Sequence, residues 1–223
     1  MFVHRTFGIG VFLCLALSSC GYGVLQTART TPKGDWDITL AQGYLDNEMI
    51  EERGRAIQNY PSQLALRVGV RDNLDVGAQF FGGSGGLLDV KYNLMDPDEA
   101  LALSIQAGIG GTSWAGQDYS HAIHVPLKLL LSYDVPDTFV VPYGAVGYGT
   151  YWVYGYQGRV EGVRYAEGRG HGDGVLMLTA GLEFQTGPVG LMIEYNFWTQ
   201  VLDDPGDFYS FSDNHIIMTG VRF

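Results

Sequence analysis

The sequence predicts an all-β fold: a closed, antiparallel, up-and-down barrel crossing a membrane with about ten strands, eight and twelve being the alternatives. Three observations predict it. Between residues 34 and 223, apolar and polar residues alternate with a period of two, the pattern of strands with unlike faces. The connections between these stretches alternate between long and short. No segment after residue 19 is long and apolar enough for a membrane helix, which leaves a closed barrel as the structure that satisfies every backbone group in lipid.

Composition agrees. Thirty-two glycines and fourteen tyrosines favour strands joined by tight turns. The formal net charge is −11, or −12 once Arg5 leaves with the leader described next, which disfavours nucleic acid as a partner.

Residues 1–19 read as a leader: Arg5, an apolar run from Phe7 to Leu17, then Ser18-Ser19. The run is too short to span hydrocarbon about 30 Å thick as a helix, so it is a secretory signal. Leu17-Ser18-Ser19-Cys20 resembles a lipobox, which implies that Cys20 is acylated and becomes the mature amino terminus. With Cys14 removed, Cys20 has no intrachain disulfide partner, and acylation gives it a purpose. The covalent acyl groups on Cys20 are the only cofactor expected. Residues 20–33, ending Thr30-Thr31-Pro32-Lys33, read as a tether with no packed element, and 34–223 as the barrel.

Strands are predicted near 35–46, 60–71, 74–82, 86–95, 99–110, 121–134, 139–154, 173–186, 188–200 and 213–223. The first carries Trp36, Ile38 and Leu40 on one face. In the second, Leu64, Leu66, Val68 and Val70 oppose Arg67 and Arg71. In the fourth, Leu88, Val90, Tyr92 and Leu94 oppose Asp89 and Lys91; in the sixth, Val125, Leu127, Leu129, Leu131 and Tyr133 oppose His124 and Lys128. In the ninth, Leu191, Ile193, Tyr195 and Phe197 oppose Glu194 and Asn196. The aliphatic sets are predicted to face lipid. Arg67, Arg71, Asp89, Lys91, His124, Lys128, Glu183 and Glu194 are predicted to form a luminal charge network, since buried ions must be paired or wetted.

The seventh strand is ambiguous, because Val140, Val146 and Tyr148 compete with Val141, Tyr143 and Tyr151 for the lipid face. Pro126 and Pro142 each remove a ladder donor inside a predicted strand, so bulges are expected there. Trp36, Tyr133, Tyr143, Tyr151, Phe184, Phe197 and Phe223 are assigned to the interfacial girdles.

Short turns at Asp72-Asn73, Asp96-Pro97-Asp98, Val135-Pro136-Asp137 and Gly187-Pro188 occupy one rim. Longer links, 47–59, 111–120, 155–172 and 201–212, occupy the other, the glycine-rich 83–85 excepted. The last strand, from His215 to Phe223, ends on an aromatic. In this it resembles the closing strand of bacterial outer-membrane β-barrels, which implies recognition of Phe223 by the barrel-assembly machinery. The same resemblance implies outer-membrane lipids and lipopolysaccharide as surroundings, with the anchored amino end on the periplasmic side.

Chemical motifs are sparse. The omptin-type barrel proteases pair acids with a histidine at the rim, and His171 with Asp173 or Asp213 with His215 supply those residue types. Lipid A deacylases use serine and histidine, for which Ser120, His121 and His124 stand. Neither set has a recognisable triad or dyad order. Asp203, Asp204 and Asp207 are a calcium candidate without EF-hand spacing. Gly82-Gly83-Ser84-Gly85-Gly86 joins two strands and reads as a hairpin tip, and Arg159, Arg164 and Arg169 are interleaved with acids in a solvated loop. The expected function is that of a non-enzymatic envelope barrel, structural or a narrow porin-like conduit or receptor. The alternatives are a barrel enzyme acting on lipid A or peptides, and a soluble lipid-anchored β-sandwich or lipocalin-like binder.

Overall fold

The computed structural model describes residues 23–47, 62–81, 85–114, 120–154, 159–160, 163–164, 171–200 and 214–223. Ten strands close into one barrel: β1 (Trp36–Asn47), β2 (Ser62–Arg71), β3 (Leu74–Phe81), β4 (Gly85–Asn93), β5 (Leu101–Trp114), β6 (Ser120–Tyr133), β7 (Val140–Tyr154), β10 (His171–Thr186), β11 (Val189–Gln200) and β12 (Asn214–Arg222). A separate two-stranded hairpin, β8 (Arg159–Val160) with β9 (Val163–Arg164), lies in the longest connection. Every neighbouring pair is antiparallel, and β1 pairs with β12 from Thr39↔Arg222 to Asn47↔Asn214. The predicted ten-strand barrel is therefore the fold; the largest boundary shift is at β5, expected to stop at 110 and running to Trp114. Phe223 completes the seam: its N–H donates to Ile38 O at 2.9 Å, and Ile38 N–H returns a bond to Phe223 O at 3.2 Å.

The two faces of the wall are inverted relative to a water-soluble protein. Leu88, Ile109, Leu127, Ile193 and Ile217 are each more than half exposed on the outside, while Arg67, Asp89, Lys91, Glu183 and Glu194 are all 5% exposed or less. A soluble sandwich or lipocalin-like shell packs its aliphatic residues inward, so the soluble alternative fails. The ambiguity in β7 resolves through its neighbours. Val141 and Tyr143 are buried and face inward, whereas Val146 and Tyr148 are exposed outward. Tyr143 is thus luminal, not a girdle aromatic: it stands opposite Gly181 in the ladder, and its ring occupies the space where a side chain on Gly181 would lie.

The expected bulges at Pro126 and Pro142 do not occur. Pairing of β6 with β7 passes through Pro126↔Gly149, and that of β7 with β10 through Leu182↔Pro142, without a change of register. The cost of Pro126 falls on the other side, where β5 pairs with β6 up to Ala107↔Leu127 and resumes at Gly110↔His124 in the same register. One missing N–H removes a ladder bond without displacing the strand. The register shift that does occur in the β2–β3 ladder lies between Gly69 and Arg71.

Residues 23–33 correct the tether expectation. They form a strap that starts inside the lumen and descends to the short-turn rim, with Val24, Leu25, Thr27 and Ala28 all 4% exposed or less. A ten-strand cylinder is wider than its wall side chains fill, and this uncharged run from Gly23 to Ala28 supplies the missing volume. At the rim the strap crosses Gly69 so closely that a Cβ there would sit 1.9 Å from Pro32 O. Gly34, at φ +86°, then turns the chain into β1.

Candidate functional site: the occupied lumen

Alternation along β2, β3 and β4 brings four ions together near the short-turn rim. Arg67 Nη2 lies 2.5 Å from Asp75 Oδ1 and 2.6 Å from Asp89 Oδ1, and Lys91 Nζ lies 3.5 Å from Asp75 Oδ2. Gln79 Nε2 donates to the second Asp89 oxygen at 2.9 Å. Two cations against two anions leave no net charge in the cluster, the condition under which buried ions are tolerated. The cluster also grips the strap. Lys91 Nζ donates to Arg29 O at 2.6 Å and to Thr27 O at 3.2 Å, and Asp75 Oδ2 accepts from Thr31 N at 2.9 Å.

Glu194 on β11 forms a second grip, and among the described residues it makes no ion pair. Its Oε1 accepts from Val24 N at 2.7 Å and Asn196 Nδ2 at 2.7 Å; its Oε2 accepts from Leu25 N at 2.6 Å and Tyr143 OH at 3.0 Å. Four donors satisfy a carboxylate that is only 1% exposed. Leu25 has φ +41°, an uncommon value for a branched residue, at the point where these successive N–H groups turn to one acceptor. Between the grips, Ser132 Oγ accepts from Ala28 N at 3.2 Å, Ser104 Oγ donates to Ala28 O, and Gln26 Nε2 reaches Gln106 Oε1 at 2.9 Å.

At the rim, Arg29 donates to Pro97 O at 2.7 Å and Glu99 O at 2.5 Å, and pairs with Asp134 at 2.6 Å. Thr30 Oγ1 donates to Asp72 O at 2.7 Å. Arg29, Thr30, Asp72 and Pro97 line a cleft of about 940 Å³ together with Lys33, Arg71 and Asp98.

Of the predicted luminal network, Arg67, Asp89 and Lys91 join one cluster, and Glu194 anchors the strap. Glu183 lies apart, 2.5 Å from Arg222 Nη2, which in turn has Asp37 at 3.6 Å from its Nε. His124 and Lys128 are buried in the lumen as expected, and Lys128 makes no ion pair among the described residues. Arg71 is a correction: the irregularity after Gly69 and the end of β2 leave it exposed in the rim cleft. The predicted network omitted Asp75, which alternation along β3 supplies, and Asn196 and Arg222, which stand on the polar faces of their strands; it also omitted Arg29 in the strap and Tyr143, whose direction alternation along β7 leaves open.

The chemical candidates are not assembled into a site among the described residues. His215 is exposed on the outer face, its Nδ1 2.6 Å from Tyr195 OH and its ring 5.2 Å from that of Phe197. Cys20, Gly82, Gly83, Ser84, Arg169, Asp203, Asp204, Asp207 and Asp213 lie outside the described residues, as do the side chains of Ser120, His121, Arg159, Arg164, His171 and Asp173.

A sealed cylinder with an aliphatic exterior and an ionic, occupied interior defines a membrane-spanning β-barrel with a plugged lumen. No protein-family model matches the chain, and no curated protein matches its sequence. In fold it is similar to neisserial surface protein A (10% identity, 84% of this chain, 94% of that one, TM-score 0.43) and the N-terminal β-barrel domain of Pseudomonas aeruginosa OprF (10%, 86%, 98%, 0.40). It is likewise similar to the Escherichia coli outer membrane protease OmpT (12%, 84%, 95%, 0.46).

Proposed function

We propose that the protein is a non-enzymatic bacterial outer-membrane barrel closed by its own amino-terminal strap, with recognition carried by the connections on the long-loop rim. The observation that supports this is the strap itself: Val24 to Ala28 occupy the lumen between two grips, leaving a narrow, polar, filled interior in place of a porin-like channel. The surrounding lipids, lipopolysaccharide and the barrel-assembly machinery that reads Phe223 are the partners this reading implies. Planar-bilayer recording tests it. The intact chain is expected to give no steady current, and a chain lacking residues 23–31 to conduct; a stable open channel from the intact chain contradicts closure.

Acylation of Cys20 belongs to the same proposal, with a condition set by reach. Cys20 is three residues from Gly23, a span of at most about 10 Å. Glu194, which holds Val24 and Leu25, lies five residues along β11 from Val189, roughly 16 Å of strand from the short-turn rim. An acyl group on Cys20 enters the periplasmic leaflet only with the strap withdrawn. Palmitate labelling of the native chain and of Cys20→Ser decides whether the anchor forms: label lost on substitution supports it, and no label in the native chain removes it.

A further inference from the structure

We propose that the lumen wall is a binding site for a peptide segment, filled here in cis by residues 23–31, and that it accepts the same sequence in trans when the strap is absent. The inference rests on the seated strap, as closure does, but not on the membrane address or the absence of current.

The wall reads main chain. Five strap N–H groups are accepted by side chains of the barrel: Gly23 by Gln63 Oε1 at 3.1 Å, Val24 and Leu25 by Glu194, Ala28 by Ser132, and Thr31 by Asp75. Three strap carbonyls are met by donors: Thr27 and Arg29 by Lys91, and Ala28 by Ser104. These partners come from β2, β3, β4, β5, β6 and β11, so the site exists only when the barrel is closed. Bonds to main chain give affinity to a bound peptide, and pockets for particular side chains give selectivity.

Three positions carry that selectivity. A Cβ on Gly23 would lie 2.3 Å from Met218 Sδ, so a larger residue at the first position has to displace that thioether. Leu25 is 1% exposed and packs with Tyr143, Met192, Ile216 and Met218, a pocket for a large aliphatic group. Ala28 is fully buried against Ala102 and Leu130, where only a small side chain fits. The ligand class is therefore a Gly-x-Leu-x-x-Ala-Arg peptide bent at its leucine, its arginine held at the rim by carbonyls and Asp134. Without an occupant, Glu194 keeps two of its four donors and Lys91 loses both carbonyls, so the empty lumen presents unpaired polar groups to its axis.

The test uses the whole chain with a protease site inserted between Lys33 and Gly34, both exposed at the rim. The barrel is folded in detergent, cut, stripped of the strap in urea and returned to buffer, with heat-modifiable gel migration reporting that it stays folded. A fluorescent, amino-acetylated peptide of residues 23–33 is then titrated in. Saturable one-to-one binding is expected, weakened about tenfold or more by Glu194→Ala in the barrel and abolished by Ala28→Trp in the peptide. If the insertion prevents folding, a chain beginning at Pro32 behind a heterologous signal peptide serves for the same titration. A folded, strap-free barrel that takes up no peptide, or that binds the Ala28→Trp peptide equally well, overturns the proposal.

Discussion

The amide of Leu25 lies 2.6 Å from Glu194 Oε2, and that one bond joins a residue near the start of the chain to a strand 169 positions later. With the Val24 bond beside it, the carboxylate fixes the inner end of the strap. Glu194→Gln keeps the shape but replaces one accepting oxygen with an amide that faces another N–H. The loss expected for the seated strap is about 1–3 kcal/mol, the cost of leaving a buried polar group unpaired. Limited proteolysis of the folded barrel should show the strap released faster in the variant, with the barrel itself unchanged.

Arg67 neutralises two buried carboxylates at once, Asp75 and Asp89. Arg67→Leu strands both, and the expected destabilisation is about 3–5 kcal/mol, the range for breaking a buried pair from one side. Arg67→Lys restores the charge but not the fork that reaches Asp75 through Nε and Nη2, so it should recover only part of the loss. Urea titration of the detergent-folded barrel measures both.

The outer wall gives the opposite sign pattern. Leu127, 55% exposed in the middle of β6, is read as lipid-facing, and Leu127→Arg should cost about 2–4 kcal/mol in a bilayer. The same substitution at Tyr133, at the rim end of that strand, should cost about 0–1 kcal/mol. Equal penalties at the two positions, measured by refolding into vesicles, contradict the lipid-facing assignment.

Most of the wall was legible because a strand's period of two is a local property: Leu88, Asp89, Val90 and Lys91 reveal their faces to anyone who counts. The misread parts depend on neighbours that the sequence does not adjoin. Tyr143 points inward because Gly181, on a strand 38 residues later, leaves room for its ring. Arg71 escapes the lumen because the β2–β3 ladder slips after Gly69, which carries the crossing strap. The strap has no alternation to betray it, since its conformation is dictated by Glu194, Lys91 and the serines that surround it. Its destination was hidden in the volume of the lumen, a quantity of the closed cylinder and not of any segment.

The β1–β12 seam extends one step further at Phe223. Phe223 exchanges two main-chain hydrogen bonds with Ile38 and exposes its ring outside the barrel. Deleting Phe223 removes both bonds and the aromatic end together, whereas Phe223→Ala keeps the bonds. Pulse-chase assembly in cells should therefore be slowed by either change, and refolding in detergent by the deletion alone.

Amide hydrogen exchange of the intact, detergent-folded chain reads the seated strap without altering a residue. The N–H groups of Val24, Leu25 and Ala28 are expected to exchange as slowly as those of the barrel strands, because each is buried and bonded to Glu194 or Ser132. Exchange of these three at the rate of an unstructured tail, in a barrel whose strands remain protected, places the segment outside the lumen and contradicts the plug.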